Sequence, residues 1–415
     1  MKIAVVGAGS TYTPEVIDGL VRFREQLPVD DLFLHDTNEE RLSIVAAFAK
    51  RMLQHAGHGA NVVTTTSLDE ATEGADAVLI QIRVGGQAAR LRDETIPLAC
   101  GCIGQETTGA GGFAKAMRTV PVMLQIADRV RELAGERAWI VDFTNPVGIV
   151  TRSLLDAGHR AVGLCNVAIG FQRSLAALLG VEPQRVVVDQ VGLNHLTWVR
   201  RVFLDDRDVL PELLEAHADE LAEHTGMERS VLDDLGVLPS YHLHYFYDHD
   251  RVLEELHVTT PRATAVAEIE RRLLEMYRDP TLTTKPALLE QRGGAFYSEA
   301  AVGLVASLLR DDGVVHEVDV RNNGVLAGLA DDDVVEVPAR VRGGVIEPLP
   351  QDPLAPEFLG LTQHVAAYER LAAEAAVTRE PVTARKALLA HPLIGQIAQI
   401  DALLEAALLD SEVPR

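Results

Sequence analysis

The sequence predicts an α/β protein in which a doubly wound parallel sheet is followed by an α+β domain, and three observations lead there. First, residues 1–165 alternate short β-branched runs with amphipathic stretches: KIAVVG then 14–26, DLFLHD then 38–55, NVVTTT then 67–73. DAVLIQI follows, then a long loop and a helix over 114–134, and finally WIVDFTN and RAVGLCN. Continuous apolar runs of that length suit strands buried on both faces, as in a parallel sheet covered by helices. Second, the rhythm changes after Cys165. A helix over 167–179, strands over 185–192 and 195–203, and helices over 208–224, 262–278 and 297–310 are expected. Strands over 314–320 and 334–341 and helices within 355–410 complete an α+β pattern. Third, 415 residues exceed one typical core, so the chain divides into 1–165 and 166–415.

Composition narrows the function. Hydrophobic residues make up 47% and charged residues 24%, ordinary for a soluble globular chain. A net charge of −23 with no basic stripe excludes nucleic acid and anionic membrane as partners. There is no bilayer-length apolar stretch and no signal-like N-terminus, so a cytoplasmic protein is expected. Three cysteines, Cys100, Cys102 and Cys165, are too few and too odd for a disulfide framework.

The first strand runs into Gly7-Ala8-Gly9-Ser10-Thr11, with Thr13 expected to cap a helix and Pro14 to occupy its first turn. Glycines there let the backbone approach a pyrophosphate at a helix start. The third glycine of GxGxxG is replaced by Tyr12. Asp36 ends the second strand, where a carboxylate accepts from an adenosine ribose and repels a 2′-phosphate. Gly7, Gly9, Ser10, Thr11 and Asp36 are therefore read as the dinucleotide set, and NAD is favoured over NADP, with Arg41 close by. Asp36 could instead cap the helix from residue 38. Cys165, at the end of an apolar run, and His195, in a turn between two strands, would on their own be read as structural.

Ordered blocks along nearly the whole chain carry a more specific reading: GAGSTYTPE (7–15), IRVGG (82–86), IGQETTGAGGF (103–113), DFTNP (142–146), GLCN (163–166), GLNHL (192–196), QRGGAFYS (291–298) and RNNG (321–324). In these the chain resembles the NAD-dependent family 4 glycoside hydrolases, most closely their 6-phospho-β-glucosidase branch. Such enzymes depart from two-carboxylate glycosidase chemistry.

The resemblance implies that Cys165 and His195 are the protein ligands of a divalent metal, usually Mn2+, whose other positions go to substrate hydroxyls and water. Thiolate and imidazole also suit zinc, so the ligands alone do not select the metal. It further implies redox-assisted elimination: NAD takes hydride from carbon 3, a base removes the carbon 2 proton, the glycosidic oxygen leaves, water adds, and the hydride returns. The base is matched by Tyr241 in PSYHLHYFY, with Tyr245 and Tyr247 as alternative registers. A phenol of pKa about 10 needs a nearby cation to serve at neutral pH. Glu106 matches an acid that tunes the tyrosine or orders water. Asn145 and Asn166 match substrate hydroxyl contacts, and Arg83, Arg90, Arg262 and Arg292 match or flank substrate-contacting arginines, with Arg90 and Arg262 foremost for a phosphate. Asn166 cannot act as a general acid, which favours β-linked substrates.

The implied function is hydrolysis of 6-phospho-β-glucosides by a homodimer or homotetramer with NAD and Mn2+ or another divalent metal. The implied fold is a Rossmann-like first domain followed by an α+β domain, a lactate/malate dehydrogenase-like architecture. Alternatives in function are a non-phosphorylated or α-linked glycoside, an ordinary NAD-dependent 2-hydroxy acid dehydrogenase, and a non-catalytic NAD-binding regulator. The dehydrogenase would pair His195 with Arg90, but RVVVDQVGLNH offers Asp189 without the expected arginine.

Overall fold

The computed structural model describes residues 1–293 and 296–410. Its described strands are β1 (Lys2–Val6), β2 (Asp31–His35), β3 (Asn61–Thr65), β4 (Ala77–Ile80), β5 (Trp139–Asp142), β6 (Ala161–Gly163) and β7 (Val186–Leu193). They continue with β8 (Leu196–Leu204), β9 (Arg207–Asp208), β10 (Leu238–Pro239), β11 (Val314–Arg321), β12 (Val334–Arg342) and β13 (Val345–Pro348). All belong to one sheet, ordered β10-β8-β7-β12-β11-β6-β5-β4-β1-β2-β3, with β13 added to β12 and β9 to β8.

Strands β3-β2-β1-β4-β5-β6 are parallel, and their order reverses direction at β1, as in a doubly wound nucleotide-binding sheet. Ile3, Ala4, Val5 and every residue of β4 are essentially inaccessible, which explains their continuous apolar runs. Beyond β6 the pairing becomes antiparallel: β11 joins β6, β12 joins β11, and β7 joins β12. The two halves predicted from the change of rhythm are therefore parts of one continuous sheet.

Two expectations need correction. The long loop after β4 contains a helix, Gly86–Ala99. Its buried face carries Asp93 and Glu94 beside Ala89 and Pro97, so no apolar stripe announces it. The stretch 208–224 is two short helices, Leu210–Ala216 and Ala218–Thr225, meeting at His217. Asp93 holds helix Gly86–Ala99 to helix Gly109–Leu133 through Arg118, whose Nη1 donates to Asp93 Oδ1 at 2.8 Å. Both side chains are almost wholly buried, and burial drives the Asp93 carboxyl up to about 6 even with its partner in place. This contact sets the relative position of two helices that both contribute to the site described below.

Asp142, at the end of β5, is another buried acid: Oδ1 accepts from the Thr144 amide, and Oδ2 has no partner. Burial drives its carboxyl up from 3.8 to about 8. The folded chain thus holds a proton there that the unfolded chain releases near pH 4. The stability this proton confers is complete below the unfolded value and is lost as pH rises toward the folded one, at up to about 1.4 kcal/mol per unit. Asp142→Asn does not titrate, so its unfolding midpoint should fall less than that of the parent chain between pH 5 and pH 8. Equal pH dependence of the two chains in parallel denaturant titrations would contradict this.

Candidate active site

At the nucleotide end, the Gly7 and Ala8 amides donate to the His35 carbonyl at 2.9 and 2.8 Å, clamping the turn after β1 to the end of β2. Gly7 has φ +91°, and a Cβ there would lie 2.7 Å from the Gln81 carbonyl oxygen. The Gly9 amide donates to Asp36 Oδ2 at 2.8 Å, and a Cβ on Gly9 would sit 2.8 Å from that carboxylate. Two of the three glycine positions are thus demanded by close backbone approach. Asp36 Oδ1 also accepts from the Asn38 amide, while Asn38 itself caps the following helix. Tyr12, not Thr13, is the cap of helix Thr13–Arg22. Thr13 is already helical, and its hydroxyl donates to the Ala8 carbonyl at 2.9 Å, which stiffens the turn instead.

Arg41 donates to the Gly9 carbonyl at 3.1 Å and pairs with Glu270 at 3.3 Å. Arg292, from far along the chain, donates to Thr11 Oγ1 at 2.8 Å and Ser10 Oγ at 3.3 Å and pairs with Glu270. It therefore reaches the dinucleotide turn, and it lies within electrostatic range of Arg83.

Those arginines gather around two buried carboxylates. Glu106 meets Arg83, Lys115 at 2.7 Å and Arg90 at 3.3 Å. Burial would raise its pKa, but Arg83, Lys115 and Arg90 outweigh burial and hold it well below the usual carboxylate range. Lys115 is pulled down by burial to about 8. Glu94 accepts from Arg90 Nε at 2.7 Å on one oxygen and from the Ala263 amide at 2.8 Å on the other. This single side chain brings Arg90 beside the start of helix Arg262–Tyr277, where exposed Arg262 donates to the Gln291 carbonyl at 2.7 Å.

His195 sits in the two-residue turn between β7 and β8 at φ +63°, a left-handed conformation for a residue that is not glycine. Burial lowers its imidazole to about 4, which leaves it neutral and able to ligate. Its ring stacks on His242, with centroids 4.0 Å apart and planes at 21°. Cys165 is a buried free thiol following β6; burial, then Glu336 and Asp319, push its pKa well up, and Tyr297 Oη lies 3.9 Å from Sγ. Asn166 occupies the cap position of helix Val167–Leu179. Asn145 precedes Pro146 across a cis peptide bond, and its buried Oδ1 has no partner in the protein.

Neutral imidazole, buried thiol and an unsatisfied amide oxygen are a donor set that fits a divalent cation. Among the described residues no three His, Cys, Asp or Glu side chains lie close enough to hold one alone. A site so built leaves positions open to substrate oxygens. The three tyrosines behave differently. Tyr241 is 51% exposed and lies against Gly226 and His244. Tyr245 is buried, and Tyr247 accepts from the Trp198 indole at 3.3 Å. The ring of this segment that meets His195 is His242.

Lys115 and His242 were not anticipated. Lys115 is one of only five lysines in an arginine-rich chain, and it falls on the buried face of a long helix; that combination was the available signal.

A family model for family 4 glycosyl hydrolases matches residues 2–181, and the model for that family's C-terminal domain matches residues 190–394. The chain is 40% identical to a probable 6-phospho-β-glucosidase of Bacillus subtilis, over 98% of this chain and 96% of that one. It is 36% identical to the 6-phospho-β-glucosidase BglT of Thermotoga maritima, over 98% of both chains. A structure of the Thermotoga maritima 6-phospho-β-glucosidase with NAD and glucose 6-phosphate superimposes with a TM-score of 0.93, covering 99% of this chain and 98% of that one. Another, with manganese, NAD+ and glucose 6-phosphate, gives 0.92. A malate dehydrogenase from Plasmodium falciparum, at 15% identity and a TM-score of 0.55, shares the fold alone. The chain belongs to family 4 of the glycosyl hydrolases.

Proposed function

We propose that the protein hydrolyses 6-phospho-β-glucosides with NAD and a divalent metal, Mn2+ foremost, as cofactors. The observation that carries this reading is the combination of a glycine turn closed on Asp36, a neutral His195 and buried Cys165 as donors for a cation, and Arg90 held by Glu94 beside the start of the helix that Arg262 opens. The relatives' names and the ligands in their structures point the same way. When bound, NAD supplies a reversible hydride acceptor and the cation a Lewis acid for the sugar oxygens.

In this reading Gly7, Gly9, Ser10 and Thr11 hold the pyrophosphate, and Asp36 holds the adenosine ribose. Cys165 and His195 hold the metal, and Asn145 and Asn166 bind sugar hydroxyls. Arg90 and Arg262 take the 6-phosphate as planar donors. Glu106 fixes Arg83, Arg90 and Lys115, so its role is to position these cations. Arg292 orders the dinucleotide turn through Ser10 and Thr11. We place the enzyme in the cytoplasm as a homodimer or homotetramer. Among the described residues no helix is long and apolar enough to cross a membrane.

The proton on carbon 2 needs a base. Tyr241 is the residue that the resemblance assigns, and partial burial and Glu255 push its phenol up, away from a basic form at neutral pH. The neighbouring His242 stacks on His195 and its buried Nδ1 has no partner in the protein, which makes it the second candidate; burial, then His195 and His244, hold its imidazole well below the usual range, so it is neutral and a weak base. With His242 as the base, His242→Asn should lower turnover, and deuterium entry at carbon 2 in heavy water, by roughly 10²- to 10⁴-fold. Tyr241→Phe should leave both largely intact. The opposite pattern returns the role to Tyr241.

The whole reading is tested with an aryl 6-phospho-β-glucoside and its unphosphorylated counterpart. Turnover should require added NAD and Mn2+ and should favour the phosphorylated sugar by at least about 10- to 150-fold, as a single charged hydrogen bond of about 1.5–3 kcal/mol implies. Equal or faster turnover of the unphosphorylated sugar removes the phosphate assignment.

A further inference from the structure

A row of register partners crosses four strands between the two halves of the sheet. Gly163 of β6 pairs with Asp319 of β11, Asp319 with Glu336 of β12, and Glu336 with Gly192 of β7. Both ends of the row are glycines. A Cβ on Gly163 would stand 2.8 Å from the Asp319 Cβ, and one on Gly192 would stand 2.1 Å from the Leu196 carbonyl oxygen. Two residues beyond Gly163 is Cys165, and two and three beyond Gly192 are Asn194 and His195. The hairpin β11–β12 is therefore inserted between the strand that carries one proposed metal ligand and the strand that carries the other.

The two acids in the middle of this row are fully buried and side by side, and among the described residues neither makes an ion pair with lysine or arginine. Their partners are amides. Asn194 Nδ2 donates to Glu336 Oε2 at 3.0 Å and reaches Asp319 Oδ2 at 3.4 Å, and Gln190 Nε2 donates to Glu336 Oε1 at 2.5 Å. Gln190 belongs to β7 and Asn194 to the turn after it, so Glu336 holds the strand at one point and the β7–β8 turn at another. That turn holds His195 in a left-handed conformation that the chain would not keep unaided. Nothing in the dinucleotide turn or the arginine cluster uses these two acids.

We propose that Glu336, backed by Asp319, is a positioning residue for the metal centre, fixing the Asn194–His195 turn relative to Cys165 through the Asn194 amide. The proposal rests on the assignment of Cys165 and His195 as ligands. Groups that orient metal ligands from behind commonly matter to affinity by one to two orders of magnitude, and here the orienting bond acts through the backbone of the adjacent residue.

The test measures Mn2+ affinity of the full-length protein directly, by the electron paramagnetic resonance signal of free Mn2+, without reference to turnover. Glu336→Leu keeps the volume and removes both acceptors; it should weaken Mn2+ binding by roughly 10- to 100-fold while NAD affinity stays at the parent value. Glu336→Gln keeps an oxygen for Asn194, and Gln190, whose Oε1 has no partner, can turn to accept from the new amide; this variant should bind Mn2+ close to the parent value. If Glu336→Leu does not fold, as judged by NAD binding, Asn194→Ala removes the same bond from the turn side and should show the same loss. Parent-like Mn2+ affinity in a folded Glu336→Leu or Asn194→Ala chain overturns the proposal, as does a Glu336→Gln chain as weak as Glu336→Leu. Cys165→Ser and His195→Ala are the separate control: unchanged Mn2+ binding in both would refute the ligand assignment itself, independently of Glu336.

Discussion

One backbone bridge, Gly163 to Asp319, is where the parallel nucleotide-binding half of the sheet passes into the antiparallel half. The chain must be glycine at that point, because Thr151 Oγ1 and the Asp319 Cβ occupy the space of a side chain. Everything the site needs follows from this junction. It lets β6 end just before Cys165 and lets a hairpin from far along the sequence deliver Asp319 and Glu336 beside it. It thereby makes a nucleotide turn near the N-terminus and a histidine turn near residue 195 parts of one continuous sheet.

The electrostatics are arranged by separation. A chain of net charge −23 repels an anionic substrate at long range, so attraction has to be local. Helix Gly86–Ala99 and helix Gly109–Leu133, locked by Asp93 and Arg118, bring Arg90 and Lys115 to Glu106, where Arg83 from the segment after β4 joins them. That nest carries more positive than negative charge. Behind Cys165 the balance is reversed, since Asp319 and Glu336 have amides for partners. Neighbouring carboxyls in a dry interior do not both ionise, and burial raises Glu336 to about 7 and Asp319 well above its usual range. The two clusters thus differ: Glu106 keeps its charge by ion pairing, whereas burial pushes Asp319 and Glu336 toward their protonated forms.

Much of this was legible in the sequence, for physical reasons that can be stated. Strand β4 is apolar throughout, and β1 and β5 are apolar apart from Lys2 and Asp142 at their ends, because both faces are covered; Asp36 just after β2 stands where a strand-end carboxylate is expected. Helix Gly86–Ala99 was not legible, because its inner face is acidic and periodicity counts only apolar residues. The reach of Arg292 to Ser10 and Thr11 was not legible either, because it joins residues 281 or more positions apart that no local pattern connects. The tyrosine run fixed a segment without fixing which ring turns inward. That depends on the short 3-10 turn Tyr241–Leu243, which leaves Tyr241 half exposed and sends His242 onto His195.

The central claim is that β6 and the β7–β8 turn, held apart by the hairpin β11–β12, present Cys165 and His195 to one cation in front of the dinucleotide turn. Anomalous diffraction at the manganese edge from crystals grown with Mn2+ and NAD measures this directly. The account predicts a single strong peak within direct bonding distance of both the Cys165 sulfur and a His195 ring nitrogen, with the Asn194 amide still on Glu336. A peak bound by neither residue, or one held by His195 while Cys165 remains buried away from it, would contradict it.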